Sequence, residues 1–207
     1  VKKRAGILIS GRGSNMVALI EAAKSPDFPV EIVLVLANNP DAGGLDLARD
    51  AGIEAAAIDH RPYKGDRAAH EMALAHRLDS HDVEIVCLAG YMRLLTPLLV
   101  GRYAGRMLNI HPSLLPSFPG LDTHARAIAA GVRLHGCSVH LVTEAMDEGP
   151  ILAQAAVPVF EADGEGELAA RVLAQEHLLY PAALAAFARG EPGTLPAKDA
   201  ALRNPAA

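Results

Sequence analysis

A chain of 207 residues, 51% apolar and 21% charged, has the make-up of one water-exposed globular domain with at most a short appendage. Its net charge of −5 offers no general attraction to nucleic acid or to anionic membrane, so any phosphate it binds must be met by a local site. No apolar run approaches the roughly 20 residues of a membrane span, and the apolar stretch after the basic start is too short for a signal-peptide core.

The two cysteines, Cys87 and Cys137, stand far apart in apolar stretches and outside any C-x-x-C pair. Buried thiols in a reducing compartment are expected, and with them a cytoplasmic address.

The first half alternates short apolar runs with amphipathic ones. Residues 5–9 read as a buried strand, followed by a glycine-rich turn and a helix over 14–23. In that helix Met16, Leu19, Ile20 and Ala23 share one face, and Ser14 or Asn15 is placed to cap its start. Strands are expected at 30–37, 54–58 and 83–89, and helices at 45–51 and 66–78. Strands separated by helices of this length imply parallel pairing with right-handed crossovers, hence a doubly wound, Rossmann-like α/β sheet. Ligands of such a sheet gather at the carboxyl ends of its strands.

Beyond residue 102 the pattern changes. A short strand at 107–110 runs into a stiff loop with Pro112, Pro116 and Pro119, then a helix at 123–130. Strands follow at 137–142 and 151–157, the second stopped by Pro158, which cannot donate to a ladder. In the first of them Cys137, Val139 and Leu141 face one way, Ser138 and His140 the other. A long helix over 166–188, bent at Pro181, ends the domain, and residues 191–207 are expected to be an irregular tail.

Gly11-Arg12-Gly13-Ser14-Asn15 lies between the first strand and the first helix. Glycines there permit positive φ and close approach of a ligand, and a helix start offers unpaired N–H groups to an anion. Met16 stands where a dinucleotide fingerprint has its third glycine, and the P-loop lysine is missing. The turn is either a plain tight turn or the seat of a phosphate monoester held by Gly13, Ser14 and Asn15.

Asn109 and His111 are two apart in an extended stretch that Pro112 keeps extended, so their side chains project to the same side. An amide and an imidazole side by side can donate to one oxygen, as an oxyanion hole requires. Asp147 lies in a turn between the last two strands. If it reaches His111 it favours the imidazolium and can collect a proton; otherwise it is a turn former. His60, His70, His76 and His81 have polar or amphipathic surroundings and are expected to be solvated. His124, His135, His140 and His177 form no metal-binding pattern, and no G-x-S-x-G elbow is present. Chemistry without a metal or a covalent intermediate is the simplest expectation.

Residues 9–15, the Asn109–Pro116 segment ending at Gly120, and Asp147-x-Gly149-Pro150 together resemble the phosphoribosylglycinamide formyltransferase family. The stretch 88–93 and Gln175-Glu176-His177 fit as well, so the likeness runs from about residue 4 to 188. It implies a single formyltransferase domain over 1–190. Residues 1–100 would form the phosphate and ribonucleotide half, and 101–190 the folate and catalytic half. It further implies that Gly13, Ser14 and Asn15 hold the substrate phosphate and Glu176 its ribose. Arg67, Met92, Arg93, Leu94, Leu95, Asn109, Thr143, Glu144, Ala145, Met146 and Asp147 would meet 10-formyltetrahydrofolate, the co-substrate. Asn109, His111 and Asp147 would be the catalytic trio, and no metal is implied. Two positions depart from the family pattern: Leu173 stands where a polar substrate contact is usual, and Asp122 where His is common.

The implied reaction is formyl transfer to the amine of glycinamide ribonucleotide in purine synthesis, with small-molecule partners only and a monomer or homodimer as the working form. A formyltetrahydrofolate hydrolase would use the same trio but carries a preceding regulatory domain, for which a first strand at residue 5 leaves no room. A transfer-RNA formyltransferase would need a basic domain after residue 188. A non-enzymatic phosphate-ligand sensor would need the glycine turn but not the trio.

Overall fold

The computed structural model describes residues 1–191; the expected tail beyond them lies outside the described residues. Seven strands form one sheet in the order β3-β2-β1-β4-β5-β6-β7: β1 (Lys3–Ile9), β2 (Val30–Ala37), β3 (Ala55–Ala57), β4 (Ile85–Leu88), β5 (Met107–His111), β6 (Leu134–Leu141) and β7 (Ile151–Pro158). The first five pair in parallel, and β6 and β7 add an antiparallel edge. The helices are α1 (Ser14–Ala23), α2 (Gly44–Asp50), α3 (Arg67–Asp79), α4 (Pro97–Arg102), α5 (Thr123–Ala129) and α6 (Glu165–Ala188).

The two faces of the sheet are written in alternate residues, the period of a pleated strand. Ile7 and Ile9 of β1, and Ile85 and Cys87 of β4, pack into the core under α1, α2 and α6. Leu8, Val86 and Leu88 belong to the opposite core, under α3 and α4, with Leu74, Leu78, Leu99 and Tyr103. A register shift opposite Ala5 and Gly6, which face Ile32 and Leu34, leaves Val33 as an extra residue in β2. That bulge keeps Leu34 and Leu36 on the α3 side after Ile32 has pointed to the other. Both cysteines are buried and free, and burial pushes each thiol up to about 12, which leaves them unreactive.

Three local expectations need correction. No side chain caps α1: Gly13 is its N-cap, left-handed at φ 70, and the Asn15 amide turns away to another partner. Helix α4 was not foreseen, although Thr96-Pro97 is a start signal: the Thr96 hydroxyl accepts from the Leu98 N–H (3.3 Å), and Pro97 needs no N–H in the first turn. His70 is 2% exposed rather than solvated: its Nε2 donates to the Ile58 carbonyl (2.8 Å), and burial holds it below the usual histidine range.

Helix α6 ties the sheet together from below the site. The Tyr180 hydroxyl, fully buried, lies 3.1 Å from both the Leu88 and Leu108 carbonyls. It thereby joins the last residue of β4 to the residue of β5 that precedes Asn109.

His135, on β6, is 1% exposed and packs edge-on against His124 and Phe118. Burial, with His124 beside it, lowers its pKa to about 4. The unfolded chain therefore binds a proton that the native state refuses, so this stabilisation is complete above about 6.5 and is lost as pH falls towards 4. We expect denaturant-derived unfolding free energies to fall across that window, and a His135→Phe variant to show a shallower acid slope. Equal slopes for the two proteins would show that His135 is not the group responsible.

Candidate active site

The strand order reverses between β1 and β4, and a crevice opens at the carboxyl ends of these two strands, where a doubly wound sheet places its ligands. A cavity of about 270 Å³ there is lined by Ser10, Gly11, Arg12, Gly13, Ser14 and Asn15 on one side, and by Ala89, Gly90 and Met92 on the other. A side chain at Gly13 would be strained by its positive φ, and its Cβ would stand 3.1 Å from Met16 Cε. The turn must therefore stay bare, leaving the first N–H groups of α1 open towards the cavity.

Residues distant in sequence meet around this turn. The Asn15 amide donates to Glu176 Oε2 at 2.6 Å, joining α1 to α6, while Asn15 Oδ1 is buried without a partner. Burial raises the Glu176 carboxyl above the usual range, with the Asn15 hydrogen bond opposing it. Gly13, Ser14 and Asn15 thus form one polar wall with Glu176, which lies 161 residues beyond Asn15. Leu173 lies on the same helix, half-buried, and adds no polar group to it.

The second cluster sits one strand further along. Leu88 pairs with Asn109, so Asn109 is adjacent to the β4 side of the cavity. Asn109 and His111 project to one side of β5 as expected, and β6 sets His140 and Ser138 directly opposite them. Asn109 Nδ2 lies 3.1 Å from His140 Nε2, and His140 Nδ1 lies 2.9 Å from the Leu141 carbonyl. A carbonyl only accepts, so Nδ1 of His140 carries the hydrogen and Nε2 accepts from the asparagine amide. Burial, the largest influence on His140, lowers its pKa and keeps it in this neutral form. His140 is the residue that sequence reasoning left unassigned. Its strand position marked the face, but only the β5–β6 register puts it against Asn109.

His111 is buried rather than projecting into open space, at 6% exposure. Its Nε2 donates to the Phe118 carbonyl (3.1 Å), which leaves Nδ1 as the nitrogen facing Asp147 Oδ2 at 3.6 Å. Asp147 Oδ1 is 3.7 Å from His140 Nε2, and Oδ2 accepts from the Gly120 N–H at 2.9 Å. The carboxylate is thus in ion-pair range of both imidazoles and hydrogen-bonded to neither. Asp147 is left-handed (φ 57), and so are Phe118 and Asp122 (φ 53 and 54). Strained backbone of this kind collects at functional sites. Gly149 keeps the loop against β6, because a Cβ there would fall 1.7 Å from the Leu141 carbonyl oxygen.

The remaining candidates are more dispersed. Met92, Arg93, Leu94 and Leu95 form the loop between β4 and α4, with Met92 and Leu94 68% and 60% exposed. Thr143, Glu144, Ala145 and Met146 are exposed on the loop that carries Asp147. Arg67 opens α3 and is exposed, and no hydrogen bond or ion pair joins its side chain to the other candidates among the described residues. Two buried networks brace the site. Ser138 Oγ bonds the backbone of Ser113 and Leu115 and receives Gln154, and Thr123 Oγ1 donates to the Pro112 carbonyl, together fixing the loop that ends at Phe118.

A crevice with an anion-ready turn, a paired amide and imidazole, and a carboxylate within reach is equipped for group transfer to a phosphorylated substrate. Comparison with known proteins agrees. Residues 3–184 match the model of the formyl transferase family. The chain is 46% identical over 184 residues to the phosphoribosylglycinamide formyltransferase of Escherichia coli, covering 89% of this chain and 86% of that protein. The crystal structure of the phosphoribosylglycinamide formyltransferase from Brucella melitensis is 56% identical with a TM-score of 0.87, over 91% of this chain and 96% of that one. The glycinamide ribonucleotide transformylase 1 of Symbiobacterium toebii is 46% identical with a TM-score of 0.89, over 91% and 89%. The chain belongs to the formyl transferase family.

Proposed function

We propose that this protein transfers the formyl group of 10-formyltetrahydrofolate to the amine of glycinamide ribonucleotide, a step of de novo purine synthesis. The observation that carries the reading is the bare Gly13 turn at a cavity whose β4 side is flanked by β5, the strand of Asn109 and His111, with Asp147 in ion-pair range of His111, in a chain so similar to proteins named for this reaction. In this reading Gly13, Ser14 and Asn15 take the phosphate on the N–H groups of α1. Glu176 meets the ribose, and the unpartnered Asn15 Oδ1 is free to accept from a substrate hydroxyl or amine. The folate lies across Met92, Arg93, Leu94 and Leu95, reaching Asn109, the loop from Thr143 through Glu144, Ala145 and Met146 to Asp147, and Arg67. The two ligands thus divide the chain only loosely into a ribonucleotide half and a folate half, since Glu176 and Arg67 each cross over.

The attacking amine forms a bond to the formyl carbon while the carbonyl oxygen becomes an oxyanion. Asn109 has two amide hydrogens; His140 accepts one, which aims the other. The imidazolium form of His111, with Nε2–H held by Phe118, presents Nδ1–H as the second donor. Asp147 stabilises that charge and receives the proton lost by the amine. The folate nitrogen takes a proton as its bond to carbon breaks, so the formyl amide and tetrahydrofolate leave with protons balanced. The same reading makes this a cytoplasmic reaction between small molecules on a monomer or homodimer.

Loss of 10-formyltetrahydrofolate, followed with and without glycinamide ribonucleotide, tests the assignment. Consumption is expected only with the ribonucleotide present; equal consumption without it would make the protein a hydrolase. Gly13→Val should raise KM for the ribonucleotide and leave that for the folate unchanged, whereas equal loss for both would make the turn purely structural. His111→Ala should lower kcat by ~10²-fold or more, as removal of an oxyanion donor does. Because the ring is buried, some loss of thermal stability should accompany it. Normal turnover would remove His111 from the chemistry.

Asp147→Asn keeps the side chain's shape and its tolerance of positive φ but removes the charge. Turnover near neutrality should drop by ~10-fold or more. Full activity would leave Asp147 as a turn residue.

A further inference from the structure

Glu71 is a glutamate on α3 with only 2% exposure, and none of the ion pairs among the described residues includes it. A carboxylate in such a place is costly unless donors surround it. All three of its donors come from the start of α4: the Thr96 N–H reaches Oε1 at 2.7 Å, the Thr96 hydroxyl reaches Oε2 at 2.6 Å, and the Leu99 N–H reaches Oε2 at 3.3 Å. A six-residue helix already capped by Thr96 does not need a second cap to begin. What Glu71 adds is a fixed distance between α3 and residue 96, where the loop from β4 ends.

The other end of that loop is fixed as well. The Met92 N–H donates to Ser10 Oγ (2.8 Å), and the Ser10 hydroxyl donates to Asn38 Oδ1 (2.5 Å). Neither neighbour can play the opposite role, so the direction of the chain of hydrogen bonds is determined. The Ser10 N–H also holds the Gly90 carbonyl at 3.1 Å. Between these two anchors the loop presents Met92 and Leu94, large apolar side chains that a free loop would fold inward or leave disordered.

We infer that Glu71 is a positioning residue for the formyl donor: its carboxylate, working with the Ser10 anchor, pre-sets the Met92 to Leu95 loop as a fixed apolar platform for a flat heteroaromatic ring. The inference rests on the reading that this loop meets the folate. Its physical basis is preorganisation: a loop already held in its bound shape loses no further conformational freedom when the ligand arrives.

The test measures KM for each substrate, kcat and melting temperature for Glu71→Gln, Thr96→Val and Leu94→Ala, and for Glu71→Gln combined with Leu94→Ala. Glutamine cannot accept on both sides, so Glu71→Gln should raise KM for 10-formyltetrahydrofolate by about tenfold while KM for the ribonucleotide stays within about twofold. Thr96→Val removes the hydroxyl and keeps the backbone donor, and should move the folate KM in the same direction by less. Leu94→Ala should raise the folate KM in the otherwise unchanged protein and add little in the Glu71→Gln background, because the platform is already lost. A lower melting temperature with both KM values unchanged, or raised equally, would make Glu71 a structural joint only. Full additivity with Leu94→Ala would overturn the positioning role while keeping the loop as a folate contact. No effect of Leu94→Ala in the unchanged protein would overturn the contact reading, and the inference with it. Should Glu71→Gln fail to fold, Thr96→Val decides: an unchanged folate KM there overturns the proposal.

Discussion

The parallel pairing of β1 with β4 is the constraint on which the site depends. Strand β1 sends the chain through α1 to β2 on one side, while β4 sends it through α4 to β5 on the other, so the loops leaving β1 and β4 part and a crevice opens between them. The crevice is lined by strand ends, the glycine turn after β1 and the stretch from Ala89 to Met92 after β4, and Asn109 and His111 lie on the next strand, β5. Backbone at strand ends has donors and acceptors to spare, and the protein fills this demand with side chains from elsewhere. Ser10 joins the segments that follow β2 and β4, Tyr180 joins β4 to β5, and Glu71 holds the start of α4 to α3.

The antiparallel edge has a different task. Parallel neighbours of β5 could not have set His140 squarely opposite Asn109 and Ser138 opposite His111 on the same face; the antiparallel ladder of β6 does. Its consequences are chemical. A neutral, buried imidazole accepting from Asn109 leaves that amide with one hydrogen directed elsewhere, and the β6–β7 loop, pressed onto β6 at Gly149, returns Asp147 to the two histidines. Asn109, His111 and Asp147 are therefore oriented by neighbours that touch them, the arrangement that accurate placement of side chains requires.

The stiff loop after β5 completes the enclosure. Prolines limit its conformations, Ser138 and Gln154 satisfy its buried backbone, and it ends in a left-handed Phe118 whose carbonyl holds the His111 ring. Strain at Phe118 and Asp147 is local and is offset by the hydrogen bonds around it.

Much of this protein was legible in its residues taken in order. Alternating apolar runs located every strand and five of the six α-helices, because burial on both faces of a sheet and on one face of a helix imposes its own period. The bare glycine turn and the extended Asn109-Ile110-His111-Pro112 stretch were legible because the backbone geometry they need is local. What depended on register or on packing between distant segments was not legible. His140 against Asn109, Glu176 against Asn15, Glu71 beneath Thr96 and the burial of His70 and His111 all join residues that sequence keeps apart. The physical reason is range. Propensity and periodicity act over a turn or a strand, whereas the partner of a buried polar group is decided by which surfaces the collapsed chain brings together, and only the tertiary structure makes that choice.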